Sequence, residues 1–172
     1  MTAVAPRIVV MGVSGSGKST LGAALAGSLG VPFAEGDDFH SEANRIKMAA
    51  GVPLTDEDRW PWLRSLRDWA AAQPTGCVLA CSALRRAYRD VLREAGDDVV
   101  FLEVDVPADL LRSRMSSRPG HYMPTSLLDS QLATLEPLAP DETGRRIDGA
   151  NDLESVLDEA RTAVAALEAG RR

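Results

Sequence analysis

The chain has 172 residues, 45% hydrophobic and 26% charged, which suits one globular domain with a core that needs no disulfide or metal staple. A formal charge of −6 argues against a nucleic-acid surface, and no apolar run approaches the roughly 18 residues of a membrane span. The apolar stretch in "MTAVAPRIVVMG" is too short for a signal peptide, so a cytoplasmic protein is expected.

In chain order, "RIVVMG" at 7–12 reads as a buried strand. The next segment, "KSTLGAALAGSLG", carries Leu21, Leu25 and Leu29 at helical spacing and stops at Gly30. "VPFAE" reads as a second short strand. "SEANRIKMAAG" reads as a short helix capped by Ser41 and ended by Gly51. Thr55 opens the helix "TDEDRWPWLRSLRDWAAAQ", in which Pro61 is expected to cause a kink or a restart. There Trp62, Leu63, Leu66, Trp69 and Ala70 form an apolar stripe, and Asp56, Glu57 and Asp58 make a negative first turn.

"CVLACS" reads as a third strand. Strand spacing puts Cys77 and Cys81 about 13 Å apart. A disulfide needs Cα atoms within about 7 Å, so buried thiols are expected. "ALRRAYRDVLREAG" is a helix with Leu84, Tyr88, Val91 and Leu92 facing inward. "VVFLEV" is a fourth strand, and "PADLLRSRM" opens a helix with Pro107 in its first turn. "SSRPGHYMP" breaks the pattern before "TSLLDSQLATLE" resumes it. "GRRID" is a weak fifth strand, and residues 152–168 form an amphipathic helix. Such alternation implies a parallel sheet covered on both faces. Right-handed crossovers then bring "GVSGSGKS", "EGDDFH" and "CSALRR" to one ligand-binding edge.

"GVSGSGKS" matches G-x-x-x-x-G-K-[ST] through Gly12, Gly17, Lys18 and Ser19, between an apolar strand and a leucine-striped helix. Gly12, Gly15 and Gly17 allow the tight turn that brings backbone N–H groups to phosphate oxygens. The loop, comprising also Val13, Ser14 and Ser16 and running on through Thr20, is therefore expected to cradle the phosphates of a nucleoside triphosphate. Lys18 should reach the β- and γ-phosphates, and the Ser19 hydroxyl should meet Mg²⁺. Neither an N-K-x-D base-reading motif nor a D-x-x-G switch after a strand, as GTPases carry, is present, and the third strand ends "LACSAL" without an acidic tip. Some other carboxylate must assist with the metal. In "EGDDFH", Asp37 or Asp38 could orient a substrate hydroxyl and take its proton, while Glu35 could reach Mg²⁺ through water. The competing reading is an aspartate pair that caps the following helix.

Together "GVSGSGKST", "EGDDFH", "ANRIKMAAGVPLTDEDRWPWL", "CSALRRAYRDVLR" and "RPGHYMP…LLDSQLATLEP" resemble the bacterial gluconokinases over about residues 7–137. The resemblance implies a nucleoside-monophosphate-kinase-like α/β fold, with five parallel strands in the order 2-3-1-4-5. It further implies ATP-dependent 6-phosphorylation of D-gluconate, Mg²⁺ dependence and a homodimer. One domain would span residues 1–172, with a substrate-binding segment at about 37–60 and a lid at about 112–126. A polyol carboxylate accounts for the mixed charges: acidic groups accept from hydroxyls, and cations hold the carboxylate. His40, Arg45, Lys47, Arg59 and Arg85 are the candidates, Arg being suited by its planar fork. In the lid, Arg114 would meet the nucleotide and Arg118 the transferring phosphoryl group. Arg112 reads as a solvated helix residue, and His121 could touch substrate or pack the lid. The alternatives are a shikimate- or nucleoside-monophosphate-type kinase of the same fold, or a non-catalytic ATP-binding regulator.

Overall fold

The computed structural model describes residues 4–116 and 125–171. Five strands, β1 (Arg7–Met11), β2 (Phe33–Glu35), β3 (Cys77–Ala80), β4 (Val99–Asp105) and β5 (Gly144–Asp148), form one sheet. All are parallel, in the order β2-β3-β1-β4-β5. Among the described residues, seven α-helices connect and cover them: α1 (Lys18–Leu29), α2 (Glu42–Ala49), α3 (Asp56–Ala71), α4 (Arg86–Arg93), α5 (Ala108–Ser116), α6 (Thr125–Thr134) and α7 (Leu153–Ala169). The sheet order is the one the family resemblance implied.

Both faces of the sheet are buried because successive strand residues alternate sides. Ile8 and Val10 of β1 join Val78, Val100 and Leu102 beneath α1 and α7, where Leu21, Leu25, Ala160 and Val164 complete the packing. Val9 and Met11 face the other way, with Leu79 and Phe101, against Trp62, Leu63 and Leu66 of α3 and Tyr88 and Leu92 of α4.

Helix starts follow the sequence closely. Ser41 Oγ accepts from the Asn44 amide at 3.1 Å, and Thr55 and Asp58 form a reciprocal capping box at α3. Pro61 neither ends nor restarts α3, which runs unbroken through it. The roughly 3 kcal/mol helix penalty of an interior proline is offset by tertiary burial of Trp62, Leu63 and Leu66 just beyond it. Leu84 lies in a turn before α4 rather than in the helix, because Ala83 adopts a left-handed φ of 46°.

That turn rests on an ionic group with no signature in the hydrophobic pattern. Arg89 is 0% exposed and meets Glu142 through two bonds, at 2.7 and 2.9 Å, while its third nitrogen donates to the Ala83 carbonyl at 2.9 Å. Arg93 donates to the same carboxylate, as does the Ala139 amide. Burial pushes the Glu142 carboxyl up, but the bonds from Arg89, Ala139 and Arg93 outweigh it and hold it at about 2. Cys77 and Cys81 are buried free thiols, as their strand spacing requires.

Candidate active site

The loop between β1 and α1 turns through Gly12, Gly15 and Gly17, with φ of 152°, 80° and 90°. A Cβ on Gly12 would lie 2.8 Å from Ser16 Oγ, so both conformation and space demand glycine there. No side chain caps α1, which leaves its first N–H groups and its dipole open to an anion. Ser14, two residues into the loop, donates its N–H to Gln131 Oε1 at 2.7 Å, tying the loop to α6.

β2 delivers the acidic segment beside this loop. Glu35 ends the strand in register with Ala80 of β3. A short 3₁₀ turn, Gly36–Phe39, follows and presents Asp37. Gly36 is pressed against β3, and its carbonyl accepts from Trp62 Nε1 at 2.7 Å, fixing the turn to α3. Burial pushes the thiol of Cys81, just past the end of β3, up to about 12.

Lys18, Asp37, His40 and Arg59 line one cavity of about 120 Å³, together with Ser14, Ser82 and Gln131. Apolar walls come from Met48, Leu54, Trp62 and Leu84. His40 is buried, with its ring stacked on Trp62 at 4.1 Å between centroids, and Nε2 lies 3.9 Å from Asp37 Oδ1. Its pKa is lowered, chiefly by burial, with Arg45 and Arg59 adding to the effect and Asp37 opposing it. Arg59 donates to the Tyr88 hydroxyl at 2.9 Å, and that hydroxyl donates to Asp56.

A second cavity, of about 180 Å³, adjoins the other side of the phosphate loop, between Gly15, Gly17 and Thr20 and residues Gly149, Asn151 and Leu153. Arg114 spans it, donating to the Gly149 carbonyl at 2.8 Å and approaching the Gly15 carbonyl at 3.5 Å. The loop thus has a cavity on each side.

Several sequence candidates sit elsewhere. Arg45 is exposed and donates to the backbone carbonyls of His40 and Asp38, so it braces the turn rather than lining the cavity. Lys47 is engaged by Asp58 at 2.7 Å, and Asp38 is exposed outside the cavity lining. Arg85 pairs with Asp56 at 3.6 Å. Arg112 contacts Asp109 and Asp129 on the surface. Arg118 and His121 lie outside the described residues.

Sequence reasoning missed four contributors. Asp56 reads in the sequence only as part of a negative first turn, yet in the fold it gathers Tyr88, Arg59 and Arg85. Trp62 reads in the sequence as part of the apolar stripe, yet it also walls the cavity. Asn44 and Gln131 are polar residues on short helices, and nothing in their spacing marks them. Among the described residues no three His, Cys, Asp or Glu side chains gather as a metal site, and no helix is long and apolar enough to cross a membrane.

The chain is similar to known proteins over most of its length. The family profile described as "AAA domain" matches residues 8–138. The chain is 49% identical over 160 residues to a gluconokinase of Gluconobacter oxydans, covering 90% of this chain and 89% of that protein. It is 42% identical over 168 residues to the thermosensitive gluconokinase of Escherichia coli K12, covering 95% and 89%. The crystal structure of a gluconokinase from Sinorhizobium meliloti superposes with a TM-score of 0.89 at 44% identity, covering 95% of this chain and 94% of that one.

Proposed function

The chain belongs to the gluconokinase family of P-loop kinases, and on that premise we propose that it transfers the γ-phosphoryl group of ATP to the 6-hydroxyl of D-gluconate. The observation that carries this reading is the convergence of Lys18 and Asp37 on one cavity beside the phosphate loop.

In the reaction, ATP lies along the loop with its γ-phosphate at the end of the cavity that holds Lys18. Gluconate occupies the rest, its terminal hydroxyl directed in line at phosphorus. Asp37 accepts the hydroxyl proton as the new O–P bond forms, and Lys18 neutralises charge on the phosphoryl oxygens. Arg59 and His40 supply donors for the carboxylate and hydroxyls, and the Tyr88–Asp56 pair holds the Arg59 head in place. Asp37 is favoured over Asp38 as the base because only Asp37 borders the cavity. Arg114, on the nucleotide side, and Arg118, in a lid at about 112–126 that would also carry His121, complete the charge neutralisation.

Mg²⁺ fits the available donors. Ser19 Oγ and the carboxylate of Glu35 are hard oxygen ligands, and Mg²⁺ characteristically takes few protein ligands while relying on waters and phosphates. The lack of a self-sufficient acidic cluster among the described residues agrees with a metal that arrives on the nucleotide. It would supply Lewis-acid charge neutralisation on the β- and γ-phosphates. A single domain over residues 1–172, a homodimer and a cytoplasmic location are proposed on the family resemblance.

An ADP-release assay across gluconate, shikimate, AMP and other small acceptors tests the assignment. Turnover is expected with gluconate alone, and it should vanish in Lys18→Ala and Asp37→Asn while both variants keep a wild-type melting curve. A shikimate- or nucleotide-type kinase would turn over another acceptor, and a regulator would bind ATP without acceptor-dependent turnover. Wild-type rates in Asp37→Asn would remove that residue as the base.

A further inference from the structure

We propose that Asn44 is a positioning residue of the acceptor site, holding His40 in the tautomer that carries its proton on Nε2 and aiming that N–H at a substrate oxygen beside Asp37. The proposal rests on the gluconate reading above for the identity of the acceptor, but not for the tautomer itself.

The backbone carbonyl of Asp58 can only accept a hydrogen bond. Asn44, buried in the first turn of α2, lies 3.0 Å from the Asp58 backbone oxygen through Nδ2, so this end of the carboxamide must be the NH₂ group. The same Nδ2 lies 3.2 Å from His40 Nδ1. An NH₂ group has two hydrogens, one for each partner, and Nδ1 must therefore accept. In a neutral imidazole the proton then resides on Nε2. The ring cannot rotate away, because it is stacked on Trp62, and Trp62 is itself anchored to the Gly36 carbonyl. Burial keeps the ring neutral near pH 7 against the attraction of Asp37, with Arg45 and Arg59 acting in the same direction as burial.

The geometry of Nε2 gives the tautomer a consequence. At 3.9 Å, Nε2 and Asp37 Oδ1 are too far apart to bond directly. A hydroxyl oxygen seated between them reaches both, accepting from Nε2–H and donating to the carboxylate. The opposite tautomer would present a bare nitrogen, which would compete with Asp37 for the hydroxyl proton and leave the oxygen without a donor. Asn44 thus makes Asp37 the single proton acceptor at this point of the cavity, without touching substrate.

The chain has two histidines, His40 and His121, so long-range proton–nitrogen correlation spectra of ¹⁵N-histidine-labelled enzyme resolve both rings, with His40→Gln assigning them. The wild type is expected to show His40 protonated on Nε2. Asn44→Asp, whose carboxylate can only accept, should move the proton to Nδ1, lower kcat/KM for gluconate at least tenfold and leave KM for ATP within twofold. Should that variant fail to fold, Asn44→Ala is read in the same way, with mixed tautomers and a smaller loss expected. A wild-type ring protonated on Nδ1, a tautomer unmoved by the substitutions, or a moved tautomer with unchanged gluconate kinetics would each overturn the proposal. A wild type inert toward gluconate would overturn the acceptor assignment instead, while its spectrum still decides the tautomer.

Discussion

Replacing Glu142 with Gln removes one charge from the centre of the Arg89–Glu142–Arg93 group and keeps its volume. The carboxylate is fully buried and accepts from two guanidinium groups and the Ala139 amide, whereas a carboxamide would set its own NH₂ against an arginine N–H. A carboxyl held at about 2 rather than its ordinary 4.5 corresponds to about 3 kcal/mol of folding stability at neutral pH. In a domain of this size each kcal/mol moves the melting temperature by about 2–4 °C, so Glu142→Gln should melt about 6–12 °C below wild type at pH 7. The sign with pH follows from a depressed carboxyl: the stabilisation is fully present above 4.5 and is lost as pH falls toward about 2. About 2 kcal/mol of it should be gone at pH 3, narrowing the gap between the two proteins. Urea unfolding followed by circular dichroism at pH 7 and at pH 3 reads both quantities. Because Arg89 also holds the Ala83 turn, whose neighbours Ser82 and Leu84 line the acceptor cavity, KM for gluconate should rise in the variant. A difference below about 1 kcal/mol at pH 7, or one that does not change on acidification, would refute the reasoning.

Gly36→Ala would place a Cβ 2.5 Å from the Ala80 carbonyl oxygen, and backbone cannot yield as a flexible side chain would. A destabilisation of about 1–3 kcal/mol in urea unfolding is expected, with a larger fall in kcat/KM for gluconate than for ATP, since Asp37 follows directly. Wild-type stability together with wild-type kinetics would contradict the tight seat of this turn. Burial pushes the thiols of Cys77 and Cys81 up to about 12, so at pH 8 neither should react with an aromatic disulfide reagent in the native enzyme. Both should react promptly in urea, and rapid native labelling would show that the buried sheet opens in the native state.

The phosphate loop was legible from eight letters because its function is carried by backbone geometry, and glycine spacing encodes backbone geometry directly. The helix starts at Ser41 and Thr55 were legible for the same local reason. The cationic candidates fared differently. Arg45, Lys47, Arg59 and Arg85 look alike in sequence, yet only Arg59 borders the cavity. A long side chain with several rotatable bonds goes where the nearest acceptor lies, and for Arg45 that acceptor is the backbone five to seven residues away.

Local pattern alone therefore determined the strand–helix alternation, the anion-binding loop and the acidic turn after the second strand, since each depends on interactions within a few residues. Folding decided which polar groups face one another: Arg89 with Glu142 across 53 positions, Gln131 with the Ser14 amide across 117, and Asn44 between His40 and the Asp58 carbonyl. Those pairings arise when packed layers exclude water and leave each buried polar atom to find a partner in the chain. A linear sequence records the residues but not that proximity.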